Sequence, residues 1–299
     1  MTRFGEKRGS ELRWAKSTSD QPDQLAATVM QSISDIRTLL DAYGLSPRHR
    51  LGQNFLHDAN QVRRLVDAAD LTDGTVVVEV GPGTGALTEA LLDTGAEVIA
   101  CELDEGLGNL IQDRLGDRIT LIQGDCLAKH RRLNQELVQA IGDRDWKLVA
   151  NLPYQAASPL MIELLLHHPR CLGQHVTIQR EVADRLVAAE GDRQRGPLGI
   201  IASTLAHISK IADIPASCFW PQPKVVSSMV SISPISEDLE LDRDAYATFI
   251  TKLFSSRRKQ LGRIFGRDLK WPDGIEPTWR PEVLTNEQLM RLFEVTSEQ

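Results

Sequence analysis

Hydrophobic positions along the chain change their spacing three times, and the changes mark its organisation. Residues 1–20 are polar and without period, which predicts a mobile tail. "QLAATVMQSISDIRTLLDAYGL" (24–45) then carries apolar residues at helical spacing and stops at Gly44, a helix terminator. "SPRHRLGQNFLHDANQVRRLVDAADL" (46–71) reads as a basic loop entering a second helix. From Thr75 the pattern alternates short apolar runs with helical stretches: "TVVVEV", "ALTEALLDT", "EVIACEL", "GLGNLIQDRL", "ITLIQGD", "LNQELVQAI", "WKLVANL", "SPLMIELLLHH" and "HVTIQR". Strands separated by helices of this length predict βαβ units, hence an α/β fold with a mostly parallel sheet covered on both faces.

Near "ISKIADIPASCFWPQPKVVSSMVSISP" the alternation becomes strand after strand, which predicts a terminal hairpin. Pro234 and the acidic "ISEDLELDRD" mark a shift in composition, and the chain from about residue 240 to its end reads as short helices and turns. The expected organisation is a tail and helix start over 1–34, a catalytic α/β domain over 35–235, and a small helical domain over 236–299.

With 299 residues, 41% hydrophobic and 25% charged, the chain has the composition of an ordinary globular protein. Its charged N-terminus lacks the apolar centre of a secretory signal and no apolar run reaches membrane-span length, so a cytoplasmic location without membrane contact is expected. Cys101, Cys126, Cys171 and Cys218 form no CxxC pair and the seven histidines no zinc-type grouping, so reduced structural thiols and no metal are expected. His167 and His168 read as helix-end residues before Pro169.

A net charge of -7 argues by itself against a polyanionic partner. Distribution changes that picture, because "TKLFSSRRKQLGRIFGRDLK" (251–270) holds seven Lys or Arg against Asp268 alone. Arg48–Arg50, Lys129–Arg132 and Arg193–Arg195 are shorter basic clusters, each as consistent with a solvated face as with phosphate contact.

Candidate chemistry gathers at the predicted strand ends. "VVVEVGPGTGALTEAL" puts Gly81, Gly83 and Gly85 between a strand and a helix, where glycines let a nucleotide-type ligand approach the backbone. With Ala86 the run also satisfies the dinucleotide pattern, so a nicotinamide dehydrogenase stays open here. Glu102 ends the next strand, suited to two ribose hydroxyls, and Asp125 follows the third, suited to an adenine amine. An adenosyl ligand fits all three.

"LVANLPYQAASPL" (148–160) ends the fourth strand at Asn151. Methylating a base amine is difficult because its lone pair is delocalised into the ring. The Asn151 amide oxygen, with a carbonyl from Leu152 or Pro153, could accept hydrogen bonds from that NH2, and Tyr154 could stack on the purine for roughly 1–3 kcal/mol. Structurally, Pro153 also breaks the strand, and Ser158-Pro159 reads as the start of the following helix.

N-L-P-Y after an E-x-G-x-G strand resembles the amino-methyltransferases. "LGQNFLHD" (51–58), "VEVGPGTGALTEAL", "QREVADRLVA" (179–188), "FWPQPKVVSSMV" (219–230) and "FSSRRKQL" (254–261) are similar, in order, to motifs of the ribosomal RNA adenine dimethyltransferases, over about 35–295. The resemblance implies a Rossmann-like S-adenosylmethionine-dependent methyltransferase domain followed by a small helical domain. It implies that Asn54, Leu56, Gly81 and Gly83 contact the cofactor, that Glu102 holds its ribose and Asp125 its adenine amine, and that Asn151 lies beside the transferred methyl. Tyr154 and Phe219 would sandwich the target adenine. Arg257, Arg258, Lys259 and Arg263 would grip rRNA phosphates.

The implied activity is transfer of two methyls to N6 of each of two adjacent adenosines in a 3'-terminal hairpin loop of small-subunit (16S) rRNA, within an assembling subunit, by a monomer. A large-subunit methyltransferase of the macrolide-resistance type is the nearest rival. "GPGTGALT" and "NLPY" favour the small subunit. A non-catalytic assembly checkpoint is the rival from another class. Gln155, Ala156 and Pro197 depart from the family's usual residues, so contacts from the loop around Pro197 are not carried over.

Overall fold

The computed structural model describes residues 31–235 and 239–297. The predicted mobile tail, and the apolar run before Gln31, lie outside the described residues. Helix α1 (Ile33–Ala42) begins at a capping box formed by Ser32 and Asp35: the Ser32 hydroxyl accepts from the Asp35 N–H at 3.2 Å and the Asp35 carboxylate from the Ser32 N–H at 2.8 Å.

A loop then leads through strand β1 (Phe55–Leu56) into α2 (Ala59–Ala68). The alternating region gives β2 (Val76–Val80), α3 (Ala86–Leu92), β3 (Glu97–Glu102), α4 (Glu105–Leu115), β4 (Ile119–Gln123), α5 (Gln135–Ile141), β5 (Trp146–Asn151), α6 (Tyr154–His167) and β6 (Cys171–Gln179). After α7 (Arg180–Leu186) and α8 (Pro197–Leu205) come β7 (Ala206–Ile214), β8 (Phe219–Trp220) and β9 (Ser227–Pro234). Helices α9 (Arg243–Ser255), α10 (Leu261–Ile264) and α11 (Asn286–Ser297) complete the described residues.

Seven strands form one sheet in the order β4-β3-β2-β5-β6-β9-β7. The first five are mutually parallel; β9 runs antiparallel to both its neighbours, so β7 and β9 are the expected hairpin. Strand β2 shows why its residues are almost uniformly apolar. Val76, Val78 and Val80 enter the cluster under α5, α6 and α8, while Val77 enters the one under α2, α3 and α4. Both faces are covered, as parallel sheets require.

The cluster on the α6 side continues without a break into Tyr246, Ile250, Leu289 and Phe293 of the C-terminal helices. Tyr246 is fully buried, its hydroxyl 3.3 Å from Thr204 Oγ1 on α8 and its ring 5.5 Å from that of Phe293. The C-terminal helices are thus seated on α8.

One helix boundary differs from expectation. Helix α6 starts at Tyr154, directly after Pro153, and Pro159 lies inside it. Pro153 already supplies the sharp turn, and Pro159 sacrifices only the bond its nitrogen would have made to the Gln155 carbonyl, close to the helix start.

Candidate active site

Four functional positions follow from one topological fact. Parallel strands β2, β3, β4 and β5 end at the same edge of the sheet, bringing Gly81, Glu102, Asp125 and Asn151 to one crevice. The glycine turn passes there with Gly81 and Gly83 at φ +74° and +60°. A Cβ on Gly81 would lie 3.3 Å from Pro153, and one on Gly83 only 2.9 Å from the Phe55 ring. Backbone, not side chain, therefore lines this side of the crevice.

Glu102 is 5% exposed and both its oxygens are held: Oε2 accepts from the Gly83 N–H at 3.3 Å and Oε1 from the Asp104 N–H at 2.8 Å. Each oxygen keeps a second lone-pair site for a ligand hydroxyl. Burial raises its pKa, against those two hydrogen bonds. Glu79, in the middle of β2, is more deeply placed. It is 1% exposed and its Oε2 has no partner among the described residues. Burial pushes its pKa up to about 8, Thr88 opposing and the charge of Glu102 adding to the rise.

The opposite wall is the loop before α2. Gln53 fastens it, its side-chain oxygen accepting from the Arg48 N–H at 2.6 Å and its amide donating to Asp104 at 3.0 Å; Arg48 also pairs with Asp104 at 3.0 Å. Asp104 in turn caps α4. Asn54 donates to the Gly52 carbonyl at 3.0 Å, and Leu56 is buried at the pocket edge.

Asn151 joins the two walls. Its Nδ2 donates to the Asn54 carbonyl at 3.0 Å, which leaves Oδ1 as a fixed acceptor. The Pro153 carbonyl is consumed by the first turn of α6, accepting from Ala156 and Ala157 at 3.0 and 3.2 Å. The Leu152 carbonyl accepts no hydrogen bond among the described residues, so of the two candidate carbonyls Leu152 has the available one. Tyr154 lines the same pocket, its hydroxyl 3.3 Å from Ser227 Oγ, a fully buried residue at the start of β9.

An amide and a free carbonyl at a strand end, beside a glycine turn and two buried carboxylates, suit an amine meeting a cationic nucleoside. Residues 44–296 match the family model described as ribosomal RNA adenine dimethylase. The chain belongs to that family. Among similar proteins is Ribosomal RNA small subunit methyltransferase A of Cutibacterium acnes, 35% identical over 92% of this chain and 97% of the relative. The protein of that name from Phenylobacterium zucineum is 37% identical over 85% and 90%. Among solved structures, a dimethyladenosine transferase from Plasmodium falciparum superposes with TM-score 0.68 at 23% identity, over 82% of this chain and 98% of that one. The 23S rRNA methyltransferase ErmE superposes with TM-score 0.59 at 24% identity, over 82% of this chain and 100% of that one. These two likenesses show the fold.

The family's methyl donor is S-adenosylmethionine, and the crevice suits it: a glycine cradle free of side chains meets adenosyl backbone contacts, and the unpartnered Glu79 oxygen meets a cation. Asp125 is exposed at the adjoining end of the crevice, with Oδ1 accepting from the Leu127 N–H at 2.9 Å. Phe219 requires correction. Rather than being open to a base opposite Tyr154, it is 1% exposed and belongs to the buried cluster that includes Leu56, Leu87 and Met229, on strand β8, which pairs with β1. Its backbone pairs with Leu56, on the strand that follows Asn54. Glu79 and Ser227 were missed from sequence, although a lone acid inside "VVVEV" was a legible signal.

Beyond Tyr154, a cleft of about 980 Å³ opens between α7, the segment before α8, Lys224–Val226 and the end of α9. Its lining includes Arg180, Arg185, Arg193, Arg195, Lys224 and Arg257 against Glu181 and Asp184. Arg258, Lys259 and Arg263 form no ion pair among the described residues. Arg257 differs: it pairs with Glu282 at 3.0 Å. The short basic clusters are likewise not simple solvated faces, since Arg195 is 3% exposed and Arg132 pairs with buried Glu163 at 3.5 Å.

Proposed function

We infer that this member of the ribosomal RNA adenine dimethylase family is an S-adenosylmethionine-dependent methyltransferase that dimethylates N6 of adenosine in small-subunit rRNA. The observation that carries the chemistry is the Asn151 amide, held through Nδ2 on the Asn54 carbonyl so that its oxygen faces an incoming amine as acceptor.

S-adenosylmethionine, when bound, supplies an electrophilic methyl on a sulfonium. Glu102 and Glu79 supply buried carboxyl groups on the cofactor side, Glu79 keeping its proton up to about pH 8 until a cation beside it favours ionisation, and Gly81 and Gly83 supply open backbone. Asn151 Oδ1 and the Leu152 carbonyl accept the two N–H groups of the target amine, drawing its lone pair out of conjugation and along one direction. Tyr154, anchored on Ser227, stacks on the extruded base, and removing the base from its helix is least costly in a loop. The N-methylated aminium is strongly acidic and sheds its proton without a dedicated base, so no general base is required of the chain.

The finer substrate reading is two adjacent adenosines in a 3'-terminal hairpin loop of 16S rRNA, met within an assembling small subunit, by a cytoplasmic monomer. Support comes from the similar proteins named for the small subunit and from the cationic cleft, which gives an acidic chain a local path for phosphates. The small-domain boundary at 236 is proposed on the shift of composition there.

The test incubates purified protein and labelled S-adenosylmethionine with small subunits from methylation-deficient cells, followed by nucleoside analysis, with Asn151→Ala in parallel. Dimethyladenosine in small-subunit rRNA that disappears in the variant is the expected result. Cofactor binding without methylation of either subunit's rRNA would leave a binding role on the assembling subunit as the better account.

A further inference from the structure

The segment Val187–Gly196, between α7 and α8, forms one wall of the cationic cleft and is fastened to the C-terminal region from both sides. Gly191 donates its N–H to the Glu282 carbonyl at 3.0 Å. Arg195, 3% exposed, donates Nη1 to the Leu284 carbonyl and Nη2 to Asn286 Oδ1 at 2.9 Å. Arg257 approaches from the end of α9. Its Nε and Nη2 donate to Glu282 Oε2 at 3.3 and 3.0 Å, and its Nη1 reaches the carbonyls of Arg193 at 3.1 Å and Arg195 at 3.4 Å. All three nitrogens of its guanidinium have protein acceptors. Its neighbours Arg258 and Lys259 are exposed and unpaired among the described residues.

We propose that Arg257 is a positioning residue rather than a phosphate ligand: a clasp with Glu282 that holds the segment Val187–Gly196 in place as a wall of the RNA cleft. The proposal rests on the reading of that cleft as the rRNA path. Phosphate attraction needs only charge, whereas the clasp needs the planar fork of a guanidinium, because one ammonium cannot span a carboxylate and two carbonyls on the neighbouring segment. Glu282 sharpens the distinction. As a mere neighbour of a phosphate ligand it would oppose RNA binding, but as half of a clasp it supports binding.

The experiment compares the full chain with Arg257→Lys, Arg257→Ala, Glu282→Gln and Arg258→Ala. Amide hydrogen exchange over 188–196 is measured without RNA, and affinity for transcribed small-subunit rRNA is measured across salt concentrations. Arg257→Lys and Glu282→Gln are expected to speed exchange in that segment by about tenfold and to weaken RNA binding with an unchanged salt slope. Arg258→Ala should leave exchange alone and reduce the slope by about 0.7–0.9, the loss of one phosphate contact. Native exchange in Arg257→Lys, or wild-type affinity in that variant beside a reduced slope in Arg257→Ala, overturns the clasp. Should the wild type itself fail to bind rRNA, the reading of the cleft falls, while the exchange measurement still decides the clasp.

Discussion

Glu79 sets stability against cofactor binding, and Glu79→Gln separates the two. The carboxyl lies in the middle of β2, 1% exposed with one oxygen unpartnered, and burial raises its pKa from 4.5 to about 8. Below pH 4.5 it is protonated in both folded and unfolded chains and contributes no pH dependence. Between 4.5 and about 8 the unfolded chain releases the proton while the folded chain keeps it, so folding weakens as pH rises. At ~1.4 kcal/mol per pH unit, that interval accumulates to ~5 kcal/mol by pH 8. Glutamine is uncharged at every pH, but a buried amide with unmade hydrogen bonds costs about 1–3 kcal/mol. The net expectation is ~2–4 kcal/mol of stabilisation at about pH 8, falling to none or slight destabilisation near pH 5. Chemical denaturation of both proteins from about pH 5 to 8.5 measures the difference directly. The same change removes a carboxyl that a neighbouring sulfonium would draw into its ionised form, so affinity for S-adenosylmethionine, measured by calorimetry at about pH 8, should fall by about tenfold or more. A stability difference that stays constant across pH, or unchanged cofactor affinity, would refute the reasoning.

Gly83→Ala should lower the melting temperature and weaken cofactor binding together, since the new methyl meets the Phe55 ring at 2.9 Å on a backbone at φ +60°; a variant as stable and as tightly binding as the wild type would contradict the close packing of turn on β1. Tyr154→Phe removes only the hydroxyl contact with Ser227, so kcat/KM should fall less than tenfold, about 1 kcal/mol, whereas Tyr154→Ala loses the stacking face and roughly 1–3 kcal/mol more; equal losses in steady-state assays would show that the ring does not stack. The thiols of Cys126 and Cys171 are pushed up to about 12 by burial, and that of Cys101 is raised further. At about pH 8 these three should resist a thiol reagent in the native protein and react on unfolding, and rapid native labelling of any of them would show the core to be more open.

The sheet and its strand ends were legible because fully buried parallel strands read as unbroken apolar runs, and the residue that ends each run is automatically at the crevice. Gly81, Glu102, Asp125 and Asn151 could therefore be aligned without knowing any side-chain position. Phe219 could not, since an aromatic before "PQPKV" has the same sequence signature whether its ring faces a ligand or the core; the pairing of β8 with β1 decides it. Pro159 misled for a related reason. A Ser-Pro pair commonly opens a helix, but Pro153 had already opened this one, and a position so near the start of α6 tolerates the missing donor. Arg257 and Arg258 are adjacent and chemically identical, and only the turn after α9 sends one inward to Glu282 and leaves the other exposed.

The acidic net charge and the anionic substrate are reconciled by where the charges sit. The charge-bearing groups of the crevice are acidic: Glu79 and Glu102 are buried there, and Asp104 lies just behind them, capping α4 and paired with Arg48. Such a pocket favours a sulfonium and disfavours phosphate. The cleft beyond Tyr154 reverses the sign with Arg180, Arg193 and Lys224, and favours the RNA backbone. Tyr154 lines the crevice from α6 and is tied to Ser227 of β9, the residue that follows Val226 of the cleft wall. A neutral, planar base is the part of an RNA strand that can pass from the cationic cleft to the acidic crevice without an electrostatic penalty, and on the proposed reading its amine would meet the Asn151 amide there. On that reading, a cationic cleft leading to an acidic crevice would admit the base to the methyl donor while keeping the phosphates out.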